Sequence, residues 1–262
     1  MNRGSAFPRK RFGQHFLQDP GVIAAIVDAI RPTPGEWLIE IGPGEGVLTE
    51  ALMAAGARVI AIEIDRDLAA RLRHRFTEAS VFRLIIADAL RVDFSSLCED
   101  SPIRVVGNLP YNVSTPLLFH LFEFAAQVSE MVFMLQREVV DRLCAEAGDP
   151  GYGRLSVMTR YHASAEALFD VHPESFYPPP RVMSSVVRLI PHVVAPVAVD
   201  SKRLAGLVME AFMQRRKTLR NALRHRVDAA LFEAAGIDPG ARAETLTLED
   251  FARLCSFLPS ES

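Results

Sequence analysis

The tetrapeptide Asn108-Leu109-Pro110-Tyr111 places an amide, a ring-locked backbone and an aromatic face together at the end of an apolar run. An exocyclic purine amine is a weak nucleophile because its lone pair is delocalised into the ring. If the Asn108 side-chain oxygen and the Leu109 or Pro110 backbone carbonyl accept its protons, the nitrogen is drawn toward tetrahedral geometry and can attack an electrophilic methyl. Pro110 stiffens the turn, and Tyr111 offers a face on which a base can stack, worth about 1–3 kcal/mol. That helps to offset removal of a nucleotide from its own stack. No strong general base is needed, since the amine becomes acidic once methylated and its proton leaves to solvent. A second aromatic-led segment, Ser175-Phe176-Tyr177-Pro178-Pro179-Pro180-Arg181, is stiff. There Phe176 either closes the other face of the base or packs under a Pro-rich connector.

Leu38-Ile39-Glu40-Ile41-Gly42-Pro43-Gly44-Glu45-Gly46 reads as a strand giving way to a helix through a glycine turn. Such a turn lets the backbone approach a ligand, and the helix directs its N-terminus at it. A dinucleotide fingerprint, GxGxxG, needs glycine at position 47, where this chain has Val47. The spacing of Gly42, Gly44 and Gly46 instead favours a ligand without a pyrophosphate, such as S-adenosylmethionine. Glu63 comes 21 residues after Gly42 and ends the next strand, where a carboxylate can accept from both hydroxyls of a ribose. Asp88 follows the third strand and can accept from an adenine amino group, with Ile64 and Ala89 as apolar walls. Each acid alone also fits a solvated strand end; successive tips bearing Gly, Glu, Asp and then Asn108 argue for one site.

Those tips require strands that end on a common edge. Apolar runs at 37–41, 59–64, 81–86, 103–107 and 130–135 alternate with helical patterns at 46–55, 67–76 and 114–124. This order predicts crossover units and an α/β fold: a Rossmann-like, mostly parallel, doubly wound sheet. A helix capped by Asp19, with Pro20 in its first turn, precedes them. Residues 137–147 and 155–161 read as helices. Residues 165–171 and 182–190 read as strands joined by a long Pro-rich connection at the sheet edge. Pro191 to Asp200 is the candidate linker, followed by helices at 204–212, 216–225, 229–235 and 248–258. The expected organisation is a basic arm over 1–18, a methyltransferase domain over 19–194 and a small all-helical, RNA-contacting domain over 195–262.

The 262 residues carry 29 Lys+Arg and 32 Asp+Glu, a net charge of -3 that argues, taken alone, against a polyanion partner. The distribution reverses that reading. Arg3, Arg9, Lys10 and Arg11 lie in an acid-free start, and Arg215, Arg216, Lys217, Arg220, Arg224 and Arg226 in an acid-free stretch from Phe212 to Val227. Without those ten cations, 19 bases remain against the 32 acids. Such segregation is a footprint of nucleic-acid or membrane contact. No run approaches the roughly 18 apolar residues of a membrane span. Cys98, Cys144 and Cys255 are far apart and have no metal-site spacing, as expected for a protein of a reducing compartment, with no metal and no membrane.

The chain resembles the ribosomal RNA adenine dimethyltransferases of the small-subunit type. The resemblance rests on Arg11-Phe12-Gly13-Gln14-His15-Phe16-Leu17, the Glu40 to Gly46 turn with Leu48-Thr49, Glu63, Asp88, Asn108 to Tyr111, Pro173 to Ser185 and Arg215 to Asn221. These segments run in the family's order along nearly the whole chain. The resemblance implies transfer of two methyl groups from S-adenosylmethionine to N6 of each of two adjacent adenosines in the terminal hairpin of 16S rRNA. The partner would be the 30S subunit or its precursor, met by a cytoplasmic monomer during ribosome biogenesis. It also implies that His15, Leu17, Gly42, Glu63, Asp88 and Asn108 line the cofactor site, to which the turn adds Gly44 and the walls add Ile64 and Ala89. Leu109, Pro110, Tyr111 and Phe176 would receive the adenine. His15 stands where many relatives carry Asn. RNA phosphates would be met by Arg9, Lys10, Arg11, Arg215, Arg216, Lys217 and Arg220. Two other readings are an adenine-N6 methyltransferase of large-subunit rRNA and a non-catalytic RNA-binding factor on the same fold. Val47 disfavours a dehydrogenase.

Overall fold

A computed structural model describes residues 15–77, 79–97, 102–111, 113–214 and 216–258. The chain forms two compact units, Met1–Val140 with Glu166–Pro191 and Asp141–Ala165 with His192–Ser262. The second therefore begins earlier than the 194/195 division read from sequence. Residues 141–165 pack with the C-terminal helices because Tyr152 is buried there, its hydroxyl donating to the Leu246 carbonyl at 2.7 Å.

The first unit opens with β1 (Phe16–Leu17) and α1 (Pro20–Ile30). Asp19 starts the helix by accepting from the Gly21 and Val22 amides, a cap worth about 1 kcal/mol. There follow β2 (Trp37–Ile41), α2 (Val47–Ala54), β3 (Arg58–Glu63), α3 (Arg66–Arg75), β4 (Phe82–Ile86), β5 (Ile103–Asn108), α4 (Ser114–Phe122) and β6 (Val128–Gln136). After α5 (Arg137–Cys144) and α6 (Arg154–His162) come β7 (Ala163–Val171), β8 (Phe176–Tyr177) and β9 (Ser184–Pro191). Seven strands form one sheet in the order β4-β3-β2-β5-β6-β9-β7, parallel from β4 to β6 and antiparallel from β6 to β9. The pair β1 and β8 forms a separate antiparallel ribbon that the sequence pattern does not announce.

The chain winds outward from β2 through β3 to β4, then returns to place β5 on the other side of β2. Strand order thus reverses between β2 and β5, the switch point at which open α/β sheets leave a crevice. Gly107 allows these two tips to meet: a Cβ built there would stand 2.4 Å from the Ile41 carbonyl oxygen. One face of the sheet is sealed by Ile26 and Ile30 of α1 and by Leu48 and Leu52 of α2, packed on Leu38, Val59, Val106 and Val132.

Ion pairs hold the opposite edge of the sheet. Glu130 of β6 accepts from Arg104 of β5 at 2.7 Å and from Arg188 of β9 at 2.8 Å. Glu36 takes another Arg104 nitrogen at 2.8 Å. The two guanidinium groups also donate to the Ile30 carbonyl and, at 2.6 Å, to the Ala29 carbonyl, which satisfies acceptors left open at the end of α1.

The second unit contains α6 and the helices α7 (Ser201–Met213), α8 (Leu219–Ala222), α9 (Ala229–Ala235) and α10 (Leu248–Ser256) around Leu204, Leu207, Phe232, Phe251 and Leu254. The helix expected over 216–225 shrinks to the single turn α8. Its first amides, Leu219 and Arg220, donate to the carbonyls of Ala241 and Pro239, and the Arg226 and Val227 amides both turn back to the Leu223 carbonyl. No helix among the described residues is long and apolar enough to cross a membrane.

Candidate active site

The cleft lies over the ends of β2, β3 and β5, within the first unit. In the turn after β2, Gly42 and Gly44 have φ of 67° and 59°, the left-handed region that glycine enters without strain. The Gly42 amide donates to the Ile62 carbonyl at 2.9 Å, and the Gly46 amide to the Pro43 carbonyl at 2.8 Å. These bonds fold the turn tightly, and α2 starts directly behind it.

Two carboxyl groups sit under the turn. Glu63, at the tip of β3, accepts from the Asp65 amide at 2.8 Å through one oxygen and from the Gly44 amide at 3.4 Å through the other. Burial raises its pKa, against the pull of those amides. Glu40 of β2 is 1% exposed and accepts from the Thr49 hydroxyl at 2.5 Å. Burial pushes its carboxyl up to about 7; the Thr49 hydrogen bond opposes that shift and the Glu63 charge adds to it. Asp88 caps the turn after β4 by accepting from the Leu90 amide at 3.1 Å, and half-exposed Ile64 lines the same cleft.

The β5 tip supplies the other wall. Asn108 donates through Nδ2 to the His15 carbonyl at 3.1 Å, which fixes the amide plane and leaves Oδ1 as its acceptor. The Leu109 amide donates to the Met134 carbonyl, and the Pro110 carbonyl accepts from the Val113 amide, both at 3.1 Å. Tyr111 bonds through its hydroxyl to Ser184 at 2.7 Å. Its ring stacks on His15, with centroids 5.7 Å apart and planes inclined by 29°. The short strand β1 crosses this site: Phe16 packs on Leu68 and faces Gly44, while Leu17 enters the core.

His15, Leu17, Gly42, Gly44, Glu63, Ile64, Asp88, Ala89, Asn108, Leu109, Pro110 and Tyr111 all line this cleft. Phe176 does not. It is 4% exposed and lies in the core cluster with Leu17, because β1 pairs with β8 in the register that sets Leu17 opposite Phe176. Arg9, Lys10, Arg11 and Arg215 fall outside the described residues; Arg216, Lys217 and Arg220 are exposed in the second unit. Three contributors escaped the sequence reading as site residues: Phe16, Glu40 with its Thr49 partner, and Ser184. The signal for Glu40 was present, an acid inside an otherwise apolar strand.

The donor set fits S-adenosylmethionine. Glu40, Glu45, Glu63 and Asp88 line the cleft, and among the described lining residues there is no Lys or Arg. A cationic sulfonium suits such walls, whereas a pyrophosphate would meet uncompensated negative charge.

Known proteins bear this out. The family model described as "Ribosomal RNA adenine dimethylase" matches residues 7–259. Among curated relatives named ribosomal RNA small subunit methyltransferase A, that of Methylococcus capsulatus is 56% identical over 247 residues, covering 94% of this chain and 96% of its own. That of Idiomarina loihiensis is 52% identical, over 97% of this chain and 88% of its own. A dimethyladenosine transferase from Plasmodium falciparum superposes with a TM-score of 0.77 at 25% identity, covering 92% of this chain and 96% of its own. The 23S rRNA methyltransferase ErmE gives 0.69 at 27% identity, covering 92% and 98%. Sequence match, sheet topology and cleft chemistry agree: the chain belongs to the ribosomal RNA adenine dimethylase family and is an S-adenosylmethionine-dependent methyltransferase.

Proposed function

We propose that this protein dimethylates N6 of two adjacent adenosines in the 3'-terminal hairpin of 16S rRNA, as a cytoplasmic monomer acting on the 30S subunit or its precursor during ribosome biogenesis. The small-subunit target is supported by curated relatives at 50% identity and above bearing that name. The observation that carries the chemistry is the Asn108 amide, anchored through Nδ2 so that Oδ1 remains to accept from an amine.

The cofactor supplies an electrophilic methyl group on a sulfonium. The chain's own groups ready the acceptor. Asn108 Oδ1 accepts one N6 proton, and the Leu109 or Pro110 carbonyl accepts the other; the Pro110 oxygen already takes one amide and keeps a second lone pair. Both acceptors favour the pyramidal nitrogen over the planar one, so they stabilise the transition state more than the ground state. Tyr111, tethered at its hydroxyl, offers the stacking face, while Leu17, Gly42, Gly44, Glu63, Asp88 and Ala89 orient the cofactor. As the new N–C bond forms, the S–C bond breaks with its electron pair passing to sulfur, and the N6 proton leaves to solvent. Arg216, Lys217 and Arg220, with Arg9, Lys10, Arg11 and Arg215, are assigned to RNA phosphates.

Replacing Asn108 with Ala should lower methyl transfer to unmodified 30S particles by about 100-fold or more while cofactor binding is partly kept. Near-normal turnover in a labelled-methyl assay would remove Asn108 from this role. Mapping the modified nucleotides tests the target itself.

A further inference from the structure

The ribbon of β1 and β8 has two faces. One closes the core through Leu17 and Phe176, which stand opposite each other. Phe16 and Tyr177 form the next pair, and residues directly opposite in an antiparallel ribbon share a face. Phe16 is buried against Leu68 and Gly44 in the cofactor cleft. Tyr177, beside it, is 51% exposed and is not among the described residues that line that cleft. Four residues on, Arg181 is exposed and has no ion-pair partner among the described residues. Pro178, Pro179 and Pro180 stiffen the stretch between them, and from Ser175 to Ile190 the chain holds no acid.

This segment is tied to the active site. The Pro178 carbonyl accepts from His15 Nδ1 at 2.7 Å, and the His15 ring stacks on Tyr111. The imidazole therefore stands between Tyr111 and the Pro178 segment, so a base on the other face of Tyr111 leaves Tyr177 to a different nucleotide. An exposed ring followed by an unpaired guanidinium on a stiff, acid-free loop has the make-up of a single-strand platform: the ring takes the face of any base and the cation a phosphate.

We propose that Tyr177 and Arg181 form a second nucleotide site, where the unpaired nucleotide next to the target adenosine stacks on Tyr177 and a phosphate of the same strand meets Arg181. This rests on the rRNA function proposed above and adds a contact to it. With two adjacent adenosines to modify, such a site holds one while the other reacts. Stacking on a nucleotide that does not react is equally strong before and during transfer, so it governs RNA affinity and leaves the chemical step alone.

The test measures kcat and KM on unmodified 30S particles, and cofactor Kd by calorimetry, for Tyr177→Ala, Tyr177→Leu and Tyr177→Trp. Tyr177→Ala should raise KM by about 5- to 150-fold, with kcat and cofactor Kd each changed by less than about twofold. Tyr177→Leu, apolar but without a π face, should behave like Tyr177→Ala, whereas Tyr177→Trp should keep the native KM or lower it. Arg181→Ala should reduce the salt slope of 30S binding by roughly one. A KM unmoved by Tyr177→Ala, a Tyr177→Leu protein as good as Tyr177→Trp, or a cofactor Kd that weakens in step with KM overturns the stacking site. The second of these results would mark the patch as an apolar contact with a protein surface. An unchanged salt slope overturns the phosphate contact. A native chain that transfers no methyl to 30S particles overturns the rRNA function itself, which separates that failure from the loss of the second site alone.

Discussion

Where β6 begins, Glu130 lies between two guanidinium groups, whereas at the ends of β2 and β3 the carboxyl groups of Glu40 and Glu63 face a cleft whose described lining contains no Lys or Arg. Both clusters are taken out of water by the same sheet. At the first edge each charge meets an opposite one, and the surplus donors go to the end of α1. At the second, the acids receive only a hydroxyl and backbone amides. Burial without a counter-ion is unfavourable, so the first edge is organised for the fold and the second for a cation that arrives with the ligand. Acidity at a strand tip is thus informative when its neutraliser is missing, and uninformative when a guanidinium sits beside it.

This contrast can be broken at either edge. The largest effect is expected from Glu63→Ala, which should weaken S-adenosylmethionine binding by about 100- to 10,000-fold, since two hydrogen bonds to a charged group at roughly 1.5–3 kcal/mol each are lost. Calorimetry reads this, and the ligand-free protein should melt no lower than the native one. Glu130→Ala should do the reverse. It removes the carboxylate that Arg104 and Arg188 share, leaving Arg104 with Glu36 and Arg188 with Glu166, and should lower unfolding free energy by about 2 kcal/mol, less than for a buried charge left with no partner. Denaturant titration checks that loss, and cofactor affinity of the folded protein should stay native. Equal damage to folding from both substitutions would dissolve the distinction between the edges.

The smallest effect concerns protons. The folded-state pKa of Glu40, about 7, lies above its ordinary value of 4.5, so the folded chain holds a proton that the unfolded chain has lost between those values. Stability from this group is complete at pH values below 4.5 and declines as pH rises toward 7. Between about pH 5.5 and 7 the decline should be about 1.5 kcal/mol. Glu40→Gln should flatten that slope in the absence of ligand; an unchanged slope would show that Glu40 is charged throughout and that the cleft tolerates the charge without help.

Much of the cleft was legible because parallel strands put their ends together. Gly42, Glu63, Asp88 and Asn108 follow four apolar runs, and alternation with helices is enough to align those ends. What escaped was non-local. Two-residue strands have no period, so nothing in Phe16-Leu17 or Phe176-Tyr177 announces that they pair across the chain. That pairing is what draws Phe176 into the core. Glu40 was visible as an acid in an apolar run, but its burial and its Thr49 partner depend on α2 folding back over β2. The stretch from Asp141 to Ala165 read as a continuation of the first domain because sequence order does not show which core Tyr152 enters. In α8, helical composition was overridden by loop carbonyls that claim the first amides.

Gly107 has a consequence for how this cleft can vary over time. Any side chain at that position, alanine included, would have to push the Ile41 carbonyl away by roughly 1 Å to reach ordinary contact, and the Gly42 turn would move with it. In a saturation library position 107 should therefore stand as a column with a single permitted letter, although Gly107 is not among the described residues that line the cleft. Change in the walls of the cleft is open to selection, but the spacing between its two halves is inherited whole.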